Sequence, residues 1–301
     1  MIKLRTLFLL VPFLAMLSCS SDDGEIPYFS KPVEAECSLS SLVTTLQYTE
    51  NGSQRKQIIT SKEEYTYTDT QMNSYVYTNR DVFTDSAGVD TVLTDISYEF
   101  EFAYSNDGLL QSVSNVGNEL LRVKPVDGRV YSMSVVFSNS EEIEYFFTYD
   151  GAGKIASISN EESNLDSALT VTFAYQDGLM TKMEFYFGDE NEAYQEYTYF
   201  DGVKNPNSGI NFFAITLIEA NGFFYSTNVD YEVFSTHLVK DIVLGLSNGD
   251  GGFQKDFIYD DTFTYTTNSK GYPTAGAVPD EVDGDIKLSA NQQFSYVNCD
   301  N

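Results

Sequence analysis

The side chains that could do chemistry in this chain are three cysteines, one histidine and 45 acidic residues. His237 is the only histidine, so a zinc site built on several histidines is excluded, and a Ser-His-Asp triad would have to use His237 as its base. This residue lies in a strand-like segment, 231–239, and the sequence contains no nucleophile-elbow motif, which favours a structural or surface histidine. A pair of carboxylates could serve a glycosidase, but so many acidic residues single out no pair. The sequence therefore favours a protein without catalytic activity, names no catalytic residue and keeps a carboxylate-dependent hydrolase as an alternative.

Cys19 follows a segment with the pattern of a signal peptide. Lys3 and Arg5 precede an apolar run over 7–17, and polar residues end this run well short of the roughly 20 residues that a transmembrane helix needs. The segment 15–19, Ala-Met-Leu-Ser-Cys, resembles a lipobox, in which a peptidase cuts before a cysteine that carries diacylglycerol. We therefore expect a lipid on Cys19 that anchors the protein to a membrane. An ordinary secretion signal with an accidental cysteine is the alternative.

The residues after this cysteine predict a tether. Ser-Ser-Asp-Asp-Gly-Glu at 20–25 resembles the acidic stretch of many surface-exposed lipoproteins of the Bacteroidetes, which implies the outer membrane and its exterior face. A plain solvated spacer is the alternative, since a short polar segment cannot bury enough apolar surface to fold. The expected organisation is a lipoprotein signal peptide over 1–18, a lipidated cysteine with a flexible acidic tether over 19–35, and a single all-β domain over 36–301.

Cys37 and Cys299 lie near the two ends of the predicted domain. Compartments outside the cytoplasm are oxidising enough for disulfides, and a bridge here would close a loop of about 260 residues. Such a bridge would stabilise the fold by up to about 5 kcal/mol in the chain-entropy description. Two separate thiols are the alternative.

The chain is strongly acidic, with a net charge of -28 that becomes -30 once the signal peptide and its two basic residues are removed. This charge repels nucleic acid, so we expect no nucleic-acid partner. Acidic turns at 248–252 and 280–285 carry the oxygen ligands that calcium prefers. Neither has the spacing of an EF-hand, so solvated turns are favoured and we expect no metal and no cofactor.

Aromatic residues alternate with polar ones, and the chain has 22 Tyr, 22 Phe and no Trp. Along 63–78, Tyr65 and Tyr67 share one face of a predicted strand, and Tyr75 and Tyr77 share one face of another. Acidic residues often alternate with these rings, which indicates that one sheet face is wet. A buried aromatic core is favoured, and the alternative is a glycan-binding platform formed by these four tyrosines if they face solvent.

An internal repeat is the most informative feature of the domain. An aromatic strand, a glycine-containing turn and a strand with alternating apolar residues recur at 102–113, 147–158 and 173–183, with weaker copies at 126–130, 199–202 and 265–273. Asp-Gly turns tolerate positive φ, as tight hairpins require. No window of 12 or more residues has a convincing apolar stripe of helical period. The sequence therefore predicts an all-β fold: an extended, twisted antiparallel sheet of successive hairpins that could curl into a partial barrel.

These units resemble the YD-type repeats of cell-surface proteins. Together with the segments 199–206 and 271–274 and the terminal Tyr-Val-Asn-Cys at 296–299, they resemble the uncharacterised Bacteroidetes lipoproteins grouped as DUF4595-like. The resemblance implies a twisted antiparallel sheet and brings no known activity.

Three functions remain, in descending order: a structural or protein-interaction module of the cell surface, a glycan-binding lipoprotein, and a carboxylate-dependent hydrolase. A flat, featureless sheet would favour the first and an exposed row of tyrosines the second. A cleft holding two carboxylates about 5 to 10 Å apart would favour the third. The expected partners are the membrane, through lipid on Cys19, and surface proteins or polysaccharide.

Overall fold

The computed structural model describes residues 37–137, 141–160, 169–220, 232–248, 252–260, 263–283 and 286–299, with the backbone alone at 256–260 and 279–283. The predicted signal peptide, Cys19 and the tether lie outside these ranges. Within them, no helix has the length and apolar character needed to cross a bilayer.

The described residues are dominated by strands. The first nine are β1 Ser38–Glu50, β2 Lys56–Thr68, β3 Gln71–Thr84, β4 Asp90–Tyr104, β5 Leu110–Asn115, β6 Asn118–Val126, β7 Arg129–Val136, β8 Glu142–Tyr149 and β9 Ile155–Asn160. The remainder are β10 Leu169–Gln176, β11 Leu179–Phe187, β12 Glu190–Lys204, β13 His237–Ser247, β14 Phe253–Asp260, β15 Thr264–Thr267, β16 Pro273–Asp283 and β17 Ile286–Val297. One helix, α1 Ile210–Ile218, and a 3-10 turn, Glu232–Phe234, lie between β12 and β13.

These strands form one 17-stranded antiparallel sheet. Each strand from β1 to β14 pairs with the next along the chain, and so do β15, β16 and β17. β17 also pairs with β1 along most of its length. No register joins β14 to β15 in the described part of the chain, and the sheet is not closed into a barrel. The predicted all-β sheet of successive antiparallel hairpins is confirmed.

The repeated turns follow from local backbone chemistry. Asp127-Gly128 and Asp177-Gly178 adopt positive φ at both residues, 51° and 75° in the first and 50° and 88° in the second. This is the geometry of a two-residue hairpin turn whose twist matches that of its strands. Asp150 instead accepts backbone N–H groups from Ala152 and Lys154 at 2.9 and 2.8 Å, which closes a longer turn.

One tyrosine in each of β4, β8, β12 and β17 links its strand to the strand that precedes it in the chain. Its hydroxyl donates to a backbone carbonyl at or beside the start of that strand: Tyr104 to Met72 at 2.9 Å, Tyr149 to Val130 at 2.8 Å, Tyr296 to Pro273 at 2.7 Å, and Tyr199 to Met180. Burial raises the pKa of each of these phenols, so all four stay neutral donors at physiological pH. In the repeat copies that contain Tyr104, Tyr149 and Tyr199, the repeated sequence therefore gives a repeated hydrogen bond, whereas the Tyr175 hydroxyl has no partner in the described part of the chain.

Helix α1 shows that the sheet is strongly curled. Phe212 packs edge-on against Tyr65 of β2, with ring centroids 5.3 Å apart, and the next residue, Phe213, packs against Phe147 of β8 at 5.8 Å. In a flat sheet β2 and β8 would be roughly 29 Å apart, at about 4.8 Å per strand. The sheet therefore wraps around α1, and Phe213 is fully buried in the resulting core.

Candidate functional site

A cavity of about 430 Å³ lies between α1 and the concave face of β2, β3 and β4. This volume falls within the range of small-molecule sites, roughly 300 to 1,000 Å³. Its lining combines four tyrosines, two glutamates and two asparagines with apolar side chains: Glu63, Tyr65, Tyr75, Tyr77, Asn79, Ile96, Tyr98, Asn207, Phe212, Ile215, Thr216, Glu219 and Val233.

The pairing register of β2, β3 and β4 determines which side chains line the sheet side of this cavity, called the wall below. Tyr65 and Tyr75 are directly opposite each other on β2 and β3, and their rings stack with centroids 5.2 Å apart. Glu63 is two residues from Tyr65 on the same face and lies opposite Tyr77, which in turn pairs with Tyr98 of β4. Because strand side chains alternate between faces, one run of three cross-strand pairs places a carboxylate among aromatic rings.

Glu63 is the carboxylate that the sheet contributes to the described lining. Burial raises the pKa of its carboxyl, and the hydrogen bond that the Tyr65 hydroxyl donates to its Oε2 lowers the pKa in part. Its neighbours on β2, Lys62 and Glu64, form an ion pair of 2.6 Å between Nζ and Oε1 at the solvated surface. The inward glutamate has no such cation beside it among the residues that line the cavity.

The last turn of α1 forms the opposite side. Ile215, Thr216 and Glu219 all face the cavity from this end of the helix. Tyr75 hydrogen-bonds to Glu219, and its pKa is raised well above the ordinary value by burial first and then by the charges of Glu63 and Glu219. Both carboxylates therefore act on the same phenol. The last helical turn has no basic residue, so its partial negative charge adds to theirs.

Two amides complete the polar lining. The Asn79 side-chain amide donates to the Tyr77 hydroxyl at 3.0 Å. Asn207 lies just before α1, and its Oδ1 is buried and accepts no hydrogen bond in the described part of the protein. A buried acceptor without a donor costs free energy, typically about 1 to 3 kcal/mol, which a ligand that donates a hydrogen bond would recover.

The four tyrosines of the alternative glycan platform are placed as the favoured interpretation, a buried aromatic core, expects. Tyr65 and Tyr75 are buried, at 4% and 3% exposure, and Tyr67 and Tyr77 are partly buried against the same core. Their face is the concave one, because the sheet curls and α1 covers it. The tyrosines therefore belong to the buried aromatic core that the sequence favours and do not form an exposed row, and Tyr65, Tyr75 and Tyr77 come together around the cavity.

The remaining predicted residues lie away from this cavity. Cys37 and Cys299 are joined in a disulfide, with Cα atoms 4.4 Å apart, which ties the start of β1 to the end of β17. The side-chain amide of Asn268 lies 3.7 and 3.8 Å from the two sulfur atoms. His237 begins β13, half-buried, with its Nδ1 3.1 Å from the Thr236 hydroxyl. The acidic turns fall largely outside the described residues, and within the described ranges no three His, Cys, Asp or Glu side chains are grouped to hold a metal ion.

The sequence did not predict Glu63, Glu219 or helix α1 as parts of the site. Glu63 shares its parity with Tyr65 and Tyr67, so the same alternation that aligned the tyrosines could have placed it on their face. Glu219 had no comparable signal, because α1 is apolar almost all round and has no stripe. A helix buried on most sides gives this pattern.

No protein-family model matches this chain, and no curated protein matches it. The resemblance to DUF4595-like lipoproteins and to YD repeats therefore stays a prediction. Among solved structures, a porin-like protein from Bacteroides uniformis ATCC 8492 is similar over 86% of this chain and 98% of its own, at 12% sequence identity and a TM-score of 0.49. The functional inference comes from the chemistry of the cavity.

Proposed function

We propose that this chain is a lipid-anchored glycan-binding protein that takes a small saccharide into the cavity between α1 and strands β2 to β4. The observation that supports this most directly is the lining itself. Aromatic rings stack on the apolar faces of sugar rings, while carboxylates and amides hydrogen-bond to hydroxyl groups. Tyr77 and Tyr98 provide rings, and Glu63, Asn79 and Asn207 provide polar groups, within one cavity of about 430 Å³.

The test is calorimetric titration of the purified full-length protein, in detergent, with a panel of soluble mono- and disaccharides. Thr216→Trp fills the cavity from α1 and is expected to weaken saccharide binding at least about tenfold, because the indole displaces the ligand. Thr66→Trp is the matched control, since Thr66 is exposed on the outer face of β2. Asn79→Ala removes a polar group of the lining without adding volume. Weaker saccharide binding by this variant is therefore not explained by overpacking or misfolding. Absence of binding across the panel would refute the proposal.

Anchoring through Cys19 at the exterior face of the outer membrane is part of the same proposal. It is supported by the apolar run, the lipobox-like segment and the acidic residues that follow. Metabolic labelling with a fatty-acid probe is expected to mark the wild-type chain and not Cys19→Ser, and protease treatment of intact cells reports which face carries the domain. A labelled Cys19→Ser chain would contradict lipidation at this position.

A carboxylate-dependent hydrolase is the second candidate, because Glu63 and Glu219 line one cavity. A buried carboxyl with a raised pKa is suited to donate a proton to a leaving group, which gives Glu63 the role of general acid. Release of reducing ends from a bound oligosaccharide, abolished by Glu63→Gln while binding persists, would establish catalysis. Binding without turnover leaves the glycan-binding function.

A structural or protein-interaction module, the function that the sequence favours most, is the third candidate. A flat sheet would have favoured it, and this sheet is curled around a lined cavity. Recovery of one surface protein after cross-linking on intact cells, unaffected by Thr216→Trp, would support it over ligand binding.

A further inference from the structure

We propose that the cavity selects a saccharide bearing a protonated amine, with Glu63 and Glu219 as the counter-charges of the ammonium group. This inference rests on the proposed glycan-binding function and names the class of sugar that the same cavity prefers.

The first support is the sign of the charges. Among the described residues that line the cavity, two are carboxylates and none is basic. The C-terminal turn of α1 faces it and adds partial negative charge, with no basic residue in that turn to offset it. The surrounding protein is also strongly acidic, at -28 overall, so its long-range field attracts cations.

The second support is the direction of the hydrogen bonds. The Tyr65 hydroxyl donates to Glu63, the Tyr75 phenol hydrogen-bonds to Glu219, and the Asn79 amide donates to Tyr77. These donors are directed to partners within the wall. The Asn207 Oδ1, by contrast, is a buried acceptor with no donor in the described part of the chain. The cavity therefore favours a ligand that donates hydrogen bonds from N–H or O–H groups. An ammonium group supplies three donors and no acceptor.

The third support is the position of the carboxylates among aromatic rings. Glu63 lies beside Tyr65 and opposite Tyr77, and Tyr75 experiences the charges of both glutamates. A cation placed near them meets carboxylates together with phenol rings, which attract cations through their negative faces. Neutral sugars gain the ring stacking but carry no charge to neutralise the two carboxylates.

Three sugars that differ at one position test the inference. Glucosamine carries the amine, N-acetylglucosamine carries it as a neutral amide, and glucose has a hydroxyl there. Titrated into the full-length protein at about pH 6.5 and low salt, glucosamine is expected to bind at least about tenfold more tightly than the other two, with a preference that weakens as salt rises.

Variants separate the site from the general acidity of the protein. Glu63→Gln and Glu219→Gln are each expected to reduce the glucosamine preference at least about fivefold. Glu64→Gln, one residue away and paired with Lys62 on the outer face, is expected to leave it unchanged. Equal affinity for the three sugars, or an effect of Glu64→Gln equal to that of Glu63→Gln, overturns the inference and leaves glycan binding intact. Absence of binding by all three and by the wider panel overturns both.

Discussion

The Tyr149 hydroxyl, at the end of β8, donates a hydrogen bond of 2.8 Å to the Val130 carbonyl at the start of β7. The Arg129 guanidinium lies over the same tyrosine ring, 5.3 Å from its centroid. Tyr175 occupies the equivalent position at the end of β10, with Lys154 over its ring at 4.7 Å, but its buried hydroxyl has no hydrogen-bond partner in the described part of the chain. The two tyrosines can be compared, because each has a cation over its ring, whereas only the Tyr149 hydroxyl has a hydrogen-bond partner in the described part of the chain.

Tyr149→Phe is therefore expected to lower the free energy of unfolding by about 1 to 2 kcal/mol, because it leaves the Val130 carbonyl without its donor. Tyr175→Phe keeps the ring and removes an unpartnered polar atom, so it is expected to be neutral or slightly stabilising. Urea denaturation followed by tyrosine fluorescence measures both. Equal losses for the two variants would show that the hydroxyl bond does not stabilise the hairpin.

Gly245 lies opposite Tyr194 across β12 and β13, and the tyrosine ring occupies the space that a Cβ at Gly245 would need. Tyr194 has little room to move, because Lys182 lies over its ring at 4.8 Å and Phe253 packs edge-on at 5.1 Å. Gly245→Ala is expected to destabilise the protein by about 1 to 3 kcal/mol through overpacking. Gly151→Ala is the control, since a Cβ there meets nothing within 4 Å. A thermal shift for Gly245→Ala no larger than the control's would contradict this geometry.

The Cys37–Cys299 disulfide spans a sequence separation of 262 residues. Replacing both cysteines by serine is expected to lower the free energy of unfolding by about 3 to 5 kcal/mol, because the unfolded chain regains the conformations that the link removes. Reductant should lower the melting temperature of the wild type towards that of the double variant and leave the variant unchanged. A wild type insensitive to complete reduction would refute this contribution.

Burial of Glu63 predicts that the contribution of this residue to the stability of the protein falls as pH rises. Burial holds its pKa above the ordinary value near 4.5, so its contribution is complete below that value and is lost as pH rises through the raised pKa. The melting temperature of Glu63→Gln minus that of the wild type should therefore increase as pH rises from about 4.5 towards neutrality. Glu64→Gln, on the outer face, provides the reference curve. A difference for Glu63→Gln that stays flat or falls would contradict burial of a charged carboxylate.

Local chemistry made much of the sheet predictable. Alternating aromatic residues and turns such as Asp127-Gly128 and Asp177-Gly178 fix strand type and hairpin pairing within a few residues of one another. The inward direction of the tyrosines follows from their aromatic character, but what covers them could not be predicted from the strand pattern. They are covered by α1, whose Phe212 and Phe213 contact β2 and β8. The cavity depends on the same long-range contacts, so only the parity of Glu63 with Tyr65 was available from the sequence.

β1 pairs with both β2 and β17, so the first and last strands of the described chain are neighbours in the sheet. β1 therefore acquires its second neighbour only after residues 286–297 have been synthesised. Closing this pair costs the entropy of a loop of about 250 residues, whereas the consecutive hairpins close short loops, so we expect the β1–β17 pairing to follow hairpin formation. Until then one side of β1 has unpaired backbone N–H and C=O groups, which another extended strand can pair with.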